Sequence, residues 1–581
     1  MKGSFSVLAA GSLALFGGVS AAPPQPQPPS QIVERGAAPT VTISTGTIVG
    51  ASRLATEAFN GIPYALPPTG DRRLRPPVRL TSSIGTYNAA GIPNACPQFL
   101  ASTEANDLVG KVLDAVTGTP LFQKALKVSE DCLTVNVIRP VGTKAGQKLP
   151  VLLWIFGGGF ELGWTSMYDA GPLLTASIAA GKPYVFVAVN YRVGGFGFMP
   201  GKEILRDGAS NLGLLDQRMG LEWVADNIAA FGGDPDKVTL WGESAGAISV
   251  LDQMALYDGD NVYKGKKLFR GAIMNSGSIT PTDPVDCPKG QVVYDAVVKK
   301  AGCASAPDTL ACLRAAPYKT FLDAANSVPA ILSYNSVALS YLPRPDGKVL
   351  TLSPDVLIKQ NKYAAVPMII GDQEDEGTLF SLFQGNITST PKLVSYLSTI
   401  FFHGATTSQL TDFVRTYDAA LWEGSPFRTG LLNEIYPGFK RLAAILGDLV
   451  FTLSRRIFLN DALKANPNVP SWSYLASYNY GLPILGTFHG SDLLQVFYGV
   501  LPNHASRSIQ SFYSNFVYNL DPNDSSGGTN AVGTKVGIKW PQWKEKKEMM
   551  QFFNNRAELL KDDFRSESYE WMAKNVAVLK V

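Results

Sequence analysis

Histidine is scarce in this sequence: 581 residues contain three, at positions 403, 489 and 504. Three dispersed histidines and five scattered cysteines make no ligand cluster, so neither metal nor other cofactor is expected. Long apolar runs are missing as well. Beyond the N-terminus no stretch reaches the ~20 apolar residues needed to cross a bilayer, which argues against a transmembrane segment. Charge of one sign is also lacking, with 51 Lys and Arg against 48 Asp and Glu. The densest basic cluster, KEKKE at 544–548, is diluted by two glutamates and reads as a solvated helix face. Nothing in that balance favours a nucleic-acid partner. No internal repeat is present.

What is there begins with an export signal. Lys2 precedes the apolar run FSVLAAGSLALFGGV, and Val19-Ser20-Ala21 offers small residues at a cleavage point, so residues 1–21 read as a secretory signal peptide. A proline-rich tether, 22–39, follows with APPQPQPPSQ. Export makes disulfides expected. Five cysteines allow two bridges with one left over. Short-range pairing favours Cys303 with Cys312 and Cys96 with Cys132; Cys287 is the remainder, or else it pairs with Cys303 or Cys312. Asn386-Ile-Thr and Asn523-Asp-Ser are glycosylation sequons.

Residues 40–581 read as one α/β domain. From Thr40 to Pro67 short strands are joined by glycine turns, predicting a small N-terminal antiparallel sheet. TVNVI (134–138) alternates as a half-buried strand does. VLLWIF (151–156), YVFVAV (184–189), VTLW (238–241), GAIM (271–274) and VPMII (366–370) are unbroken apolar runs of buried, parallel-strand type. Helical patterns lie among them, the clearest being LLDQRMGLEWVADNIAAF, stopped by Gly232-Gly233. Strands and helices in alternation predict a large, mostly parallel central sheet with helices on both faces. Past Thr388 the chain reads as mostly helix and loop.

Chemistry concentrates at the ends of the predicted strands. In VTLWGESAG, Ser244 sits in a strand-to-helix corner between Gly242 and Gly246, the form of a nucleophile held on a tight turn. A serine hydroxyl needs a base, itself oriented by a third group. His489, flanked by Gly486 and Gly490 after the strand-like SWSYLASYNY, is the best placed of the three histidines. His403 lies on or beside a helix, and His504 in a polar surface context. The orienting acid belongs between serine and histidine, in GDQEDEGTLF, where Asp372, Glu374, Asp375 and Glu376 all compete. Residue chemistry leaves that choice open, with the three unused acids expected to be exposed or bonded to their own loop. Gly157-Gly158-Gly159, directly after VLLWIF, lets backbone N–H groups face a cavity, and Ala245 N–H adds a donor. A phosphate cradle is disfavoured because FELGW, not Lys and Ser or Thr, comes next.

AAFGGDPDKVTLWGESAG (229–246) and EDCLTVNV (130–137) resemble the two signatures of the type-B carboxylesterases and lipases of the α/β-hydrolase class. WIFGGGFELG, GDQEDEGT, SYLPRPDGK and LPILGTFHGSD are similar to secreted fungal lipases of the Candida rugosa type. The resemblance covers residue 40 to the C-terminus. It implies Ser244 as nucleophile, His489 as base, Glu376 as orienting acid, and Gly158, Gly159 and Ala245 as oxyanion donors. It also implies bridges Cys96–Cys132 and Cys303–Cys312, with Cys287 outside the pattern. In lipases of this type the segment inside the first bridge is a lid. Here, within 97–131, Leu108, Val112 and Val116 share one helical stripe. The implied activity is hydrolysis of carboxylic esters at a lipid–water interface. A short-chain carboxylesterase is the alternative, and a non-catalytic adhesion protein on the same fold a second.

Overall fold

A computed structural model describes residues 38–99, 112, 116, 126–498, 502–523 and 538–581. The expected signal peptide, the tether up to residue 37 and the candidate lid from 100 to 125, apart from Val112 and Val116, lie outside the described residues.

The apolar runs build the middle of an eleven-stranded sheet. Its parallel centre crosses the molecule in the order Val185–Val189, Leu149–Ile155, Gly233–Glu243, Gly271–Asn275, Met368–Gln373, Ser471–Ala476 and Glu548–Phe552. Every residue of Leu149–Ile155, Val185–Val189 and Met368–Gln373 is buried, which is why the first two, and the third up to Ile370, read as unbroken apolar runs and not as alternation. Antiparallel strands close both edges: Thr134–Pro140, Thr56–Pro63 and Ala51–Ser52 on one side, Ala557–Lys561 on the other. The chain from Pro39 to Val581 forms one compact unit.

A separate three-stranded sheet holds Thr40–Ile43 antiparallel to Gly46–Val49, and Gly85–Asn88 adds to the latter in parallel. The long helix runs Leu212–Asn227 and ends through one 3-10 turn at Gly232, whose φ of 87° is open to glycine. The expectation for 544–548 changes: Trp543–Lys546 is a single helical turn, and Glu548 starts the buried strand Glu548–Phe552.

Both favoured disulfides are present, Cys96–Cys132 and Cys303–Cys312. The first closes a loop of sequence separation 36, a restraint on the unfolded chain worth about 4 kcal/mol. Cys287 is a buried free thiol whose Sγ accepts from Gly290 N–H at the head of the helix Pro288–Lys300.

Candidate active site

Ser244 ends the strand Gly233–Glu243 and precedes the helix Ala245–Ala255. Its backbone stands at φ 58°, ψ −128°, a conformation side-chain-bearing residues avoid. The two glycines make that corner fit. A Cβ on Gly242 would lie 2.2 Å from Gly246 O, and one on Gly246 would lie 2.1 Å from Ile155 O. Helix and strands therefore pack backbone to backbone, and Ser244 is pushed to the carboxyl edge of the sheet.

The neighbouring parallel strand, Leu149–Ile155, delivers Gly157-Gly158-Gly159 to the same place. A Cβ on Gly157 would fall 2.8 Å from Ser244 Cβ and 2.8 Å from Glu243 Oε2. Gly158 and Gly159 both have positive φ, 113° and 63°. Among the described residues no acceptor takes the N–H groups of Gly158, Gly159 or Ala245. Three unused donors at the head of a helix are suited to a developing oxyanion.

His489 lies on the loop after Ser471–Ala476 and is buried. Its Nδ1–H donates to Glu376 Oε2 at 2.5 Å, while Glu376 Oε1 accepts from Gln373 N–H at 2.7 Å. Phe380 and Phe451 flank the imidazole with ring centroids 5.0 and 4.5 Å away. Among the described residues the other nitrogen, Nε2, has no hydrogen-bond partner, and it lies 3.3 Å from Oε1 of Glu243, the residue before Ser244. Fixing Nδ1 as donor leaves Nε2 as the free acceptor.

The three remaining acids of the 372–376 loop find other partners. Asp372 pairs with Arg455 at 2.7 Å, and Glu374 takes Arg428 at 2.6 Å. Asp375 accepts from Ser425 Oγ, Phe427 N–H and Thr487 N–H, each at 2.9 Å. The expectation that these groups are exposed or bonded to their own loop is corrected for all three: Glu374 is half-buried against Arg428, 54 residues on, and Asp372 and Asp375 go further. Both are buried and bonded to distant segments. His403 is exposed and bonds Thr399 O, and His504 opens a helix with Ser508 Oγ at 3.3 Å.

Glu243 was not singled out by the sequence reading, although a glutamate next to the serine in a buried strand was the available signal. Burial pushes its carboxyl up to about 8, against the pull of His489, with Asp492 and Glu376 adding to the rise. For His489, burial opposes the imidazolium, but the charges of Glu376 and Glu243 and the hydrogen bond to Glu376 outweigh it and raise the group to about 9. The charges of this cluster act on one another, so the protonation of each group shifts that of the others.

Ser244, Gly159 and Ala245 open onto an apolar cavity. Of its lining among the described residues, only Ser244, Thr280 and Ser454 carry polar side chains; Phe380, Phe402 and Phe451 are among the rest. Among the described residues there is no cluster of His, Cys, Asp and Glu able to hold a metal.

The model of the carboxylesterase family matches residues 37–572. The chain belongs to the carboxylesterase family. Within the family, a protein of Gibberella zeae named secreted triacylglycerol lipase LIP1 is 61% identical over 552 residues, covering 95% of this chain and 92% of that one. Lipase 5 of Diutina rugosa is 45% identical, covering 93% and 96%. The crystal structure of Aspergillus niger EstA superposes with a TM-score of 0.77 at 26% identity, over 94% of this chain and 99% of that one. The α/β-hydrolase architecture and the resemblance to Candida rugosa-type lipases are thereby both met.

Of the two sequons, Asn386 is exposed, with its amide near Tyr334 OH at 3.2 Å. The Asn523 amide is engaged on both sides by the backbone of Trp540.

Proposed function

We propose that this chain is a secreted serine hydrolase that cleaves long-chain acylglycerols, and sterol esters in addition, through Ser244, His489 and Glu376. His489 Nε2 takes the Ser244 proton as Oγ attacks the ester carbonyl, and Glu376 steadies the imidazolium that forms. The N–H groups of Gly158, Gly159 and Ala245 receive the negative oxygen. His489 then gives the proton to the leaving alcohol, and a water activated by the same nitrogen releases the acid from the acyl-enzyme. The observation that carries this reading is a strained serine lining an apolar cavity whose Phe380 and Phe451 also flank a buried imidazole held at Nδ1 by Glu376. Relatives named as secreted lipases support both the substrate class and export.

Hydrolysis of a short soluble ester, a long-chain triacylglycerol and a cholesteryl ester, compared below and above their solubility limits, tests it. Higher rates on aggregated long-chain esters are expected; a preference for the short ester in solution would point to a short-chain carboxylesterase instead.

Two valines of the segment support the lid reading. Val112 and Val116, one helical turn apart, pack against the cluster of Leu379, Leu382, Phe439 and Leu485. Lifting those valines off would expose apolar surface that water penalises and an oil surface rewards. Hydrogen exchange across 97–131 is expected to rise when detergent is added, and unchanged exchange would remove the lid.

A pH dependence follows from the charges around the imidazole. His489 must be neutral to accept a proton, so activity climbs as the cluster deprotonates with rising pH. A negative Glu243 favours the imidazolium. Glu243→Gln removes that charge, and the acidic limb of kcat/KM on a soluble ester is expected to move toward lower pH by about one pH unit.

A further inference from the structure

The loop carrying His489 has no regular structure of its own. Between Ala476 and Ser491 it turns through Gly481, Ile484, Gly486 and Gly490, all at positive φ. The hydrogen bond from the ring to Glu376 fixes the imidazole's tilt, while Ile484 N–H and Leu485 O are held farther back by Asn433 Oδ1 and Thr378 Oγ1. A backbone tie nearer the histidine comes from the residue next to Glu376. Asp375 N–H donates to Thr487 O at 3.0 Å, and Asp375 Oδ2 accepts from Thr487 N–H at 2.9 Å. Thr487, two residues before His489, is therefore gripped at both its N–H and its C=O.

The other oxygen of the same carboxylate reaches the opposite way. Asp375 Oδ1 accepts from Ser425 Oγ and Phe427 N–H, both at 2.9 Å, and Ser425 N–H is in turn fixed to Lys440 O at 2.9 Å. Asp375 is 2% exposed. Contact with the histidine loop is so close that a Cβ on Gly486 would stand 2.1 Å from Asp375 Oδ2. The carboxylate thus meets three donors from two segments that are more than a hundred and about fifty residues away in sequence.

We propose that Asp375 is a positioning residue for ester hydrolysis: it clamps Thr487 to the acid loop so that the imidazole of His489 meets Ser244 in a reactive pose. The proposal rests on Ser244, His489 and Glu376 being the reacting groups. Residues 375 and 376 then act as a pair. Glu376 holds the ring, and Asp375 holds the backbone that carries it. Among the described residues Asp375 lies outside the cavity lining and makes no hydrogen bond to Ser244, Gly158, Gly159 or Ala245, so it acts through the loop.

Asp375→Asn tests the clamp, because an amide must aim its NH₂ at Thr487 N–H or at the Ser425 and Phe427 donors. Either way a donor faces a donor and the two segments part. Misplacing reacting groups by about 1 Å costs on the order of a hundredfold in rate. On a soluble short-chain ester, kcat is expected to fall roughly 30- to 100-fold while KM stays within about twofold. The low-field proton signal of the His489 Nδ1–H···Glu376 bond is expected to shift or broaden in the folded variant. Ser425→Ala, which removes one donor and keeps the charge, is expected to lower kcat about three- to tenfold at unchanged KM. It also decides the matter should the amide variant not fold.

A folded Asp375→Asn, or Ser425→Ala, with wild-type kcat and an unaltered proton signal overturns the proposal. Labelling of the wild-type protein by an alkyl phosphonate separates this from failure of the underlying reading. If the wild type is labelled at Ser244 and Asp375→Asn is labelled there more slowly, the clamp stands. If labelling is equally fast in both, the clamp falls and the nucleophile survives.

Discussion

Ser244→Ala is expected to lower kcat for ester hydrolysis roughly a millionfold, leaving only the small rate that binding and oxyanion donors give unaided. The size of the effect follows from the single role of the hydroxyl: without Oγ no acyl-enzyme forms, and His489 has nothing to deprotonate. The fold should survive. The Ser244 backbone N–H donates to Asn275 O at 2.9 Å, and Ser244 O accepts from Ile248 N–H at 3.0 Å. Neither bond uses the side chain. Circular dichroism and the thermal midpoint should therefore match the wild type, while initial rates on a short-chain ester fall to background. A variant that retained normal turnover would remove Ser244 from the mechanism.

Glu376→Gln is expected to cost about 10⁴-fold in kcat, the scale seen when a triad acid elsewhere becomes an amide. The local geometry explains why an isosteric change is so damaging. Gln373 N–H needs an acceptor at 2.7 Å, which fixes the amide oxygen on that side. The amide NH₂ then faces His489 Nδ1, so Nδ1 becomes the acceptor and the proton moves to Nε2. An imidazole protonated at Nε2 has no lone pair to offer the serine. Rates on a soluble ester across pH check this, and a loss of less than tenfold would show that Glu376 is not the group that sets the tautomer.

The sequence revealed most where local backbone chemistry and function coincide. Ser244 between two glycines, three glycines at the end of a buried strand and a glycine-flanked His489 all announce turns, and turns at the carboxyl edge of a parallel sheet are where such groups meet. The choice among four acids was different. Asp372, Glu374 and Asp375 are set apart from Glu376 by Arg455, Arg428, Ser425 and Thr487, residues 50 or more positions away that no local pattern connects to them. Glu243 was obscured for the same reason, since its significance lies in the 3.3 Å to an imidazole far along the chain.

In the fold, Glu548–Phe552 was hidden because EMMQF has no β-branched residue and follows a charged run; its sheet neighbours on both sides, not its own propensity, make it a strand. Gly85–Asn88 was equally quiet, being largely exposed and without alternation. Short loop lengths favoured the two bridges but left Cys287 open to pairing with Cys303 or Cys312; its thiol is free and buried at a helix cap.

The most direct test of the whole account is covalent capture. The protein is incubated with a long-chain alkyl phosphonate ester, and the adduct is located by peptide mass spectrometry. The geometry predicts one phosphonate per chain, on the Ser244 peptide, with hydrolysis lost in proportion to labelling and with Glu376→Gln labelled far more slowly. A chain that keeps full esterase activity while Ser244 is modified, or that is inactivated through a different residue, would contradict it.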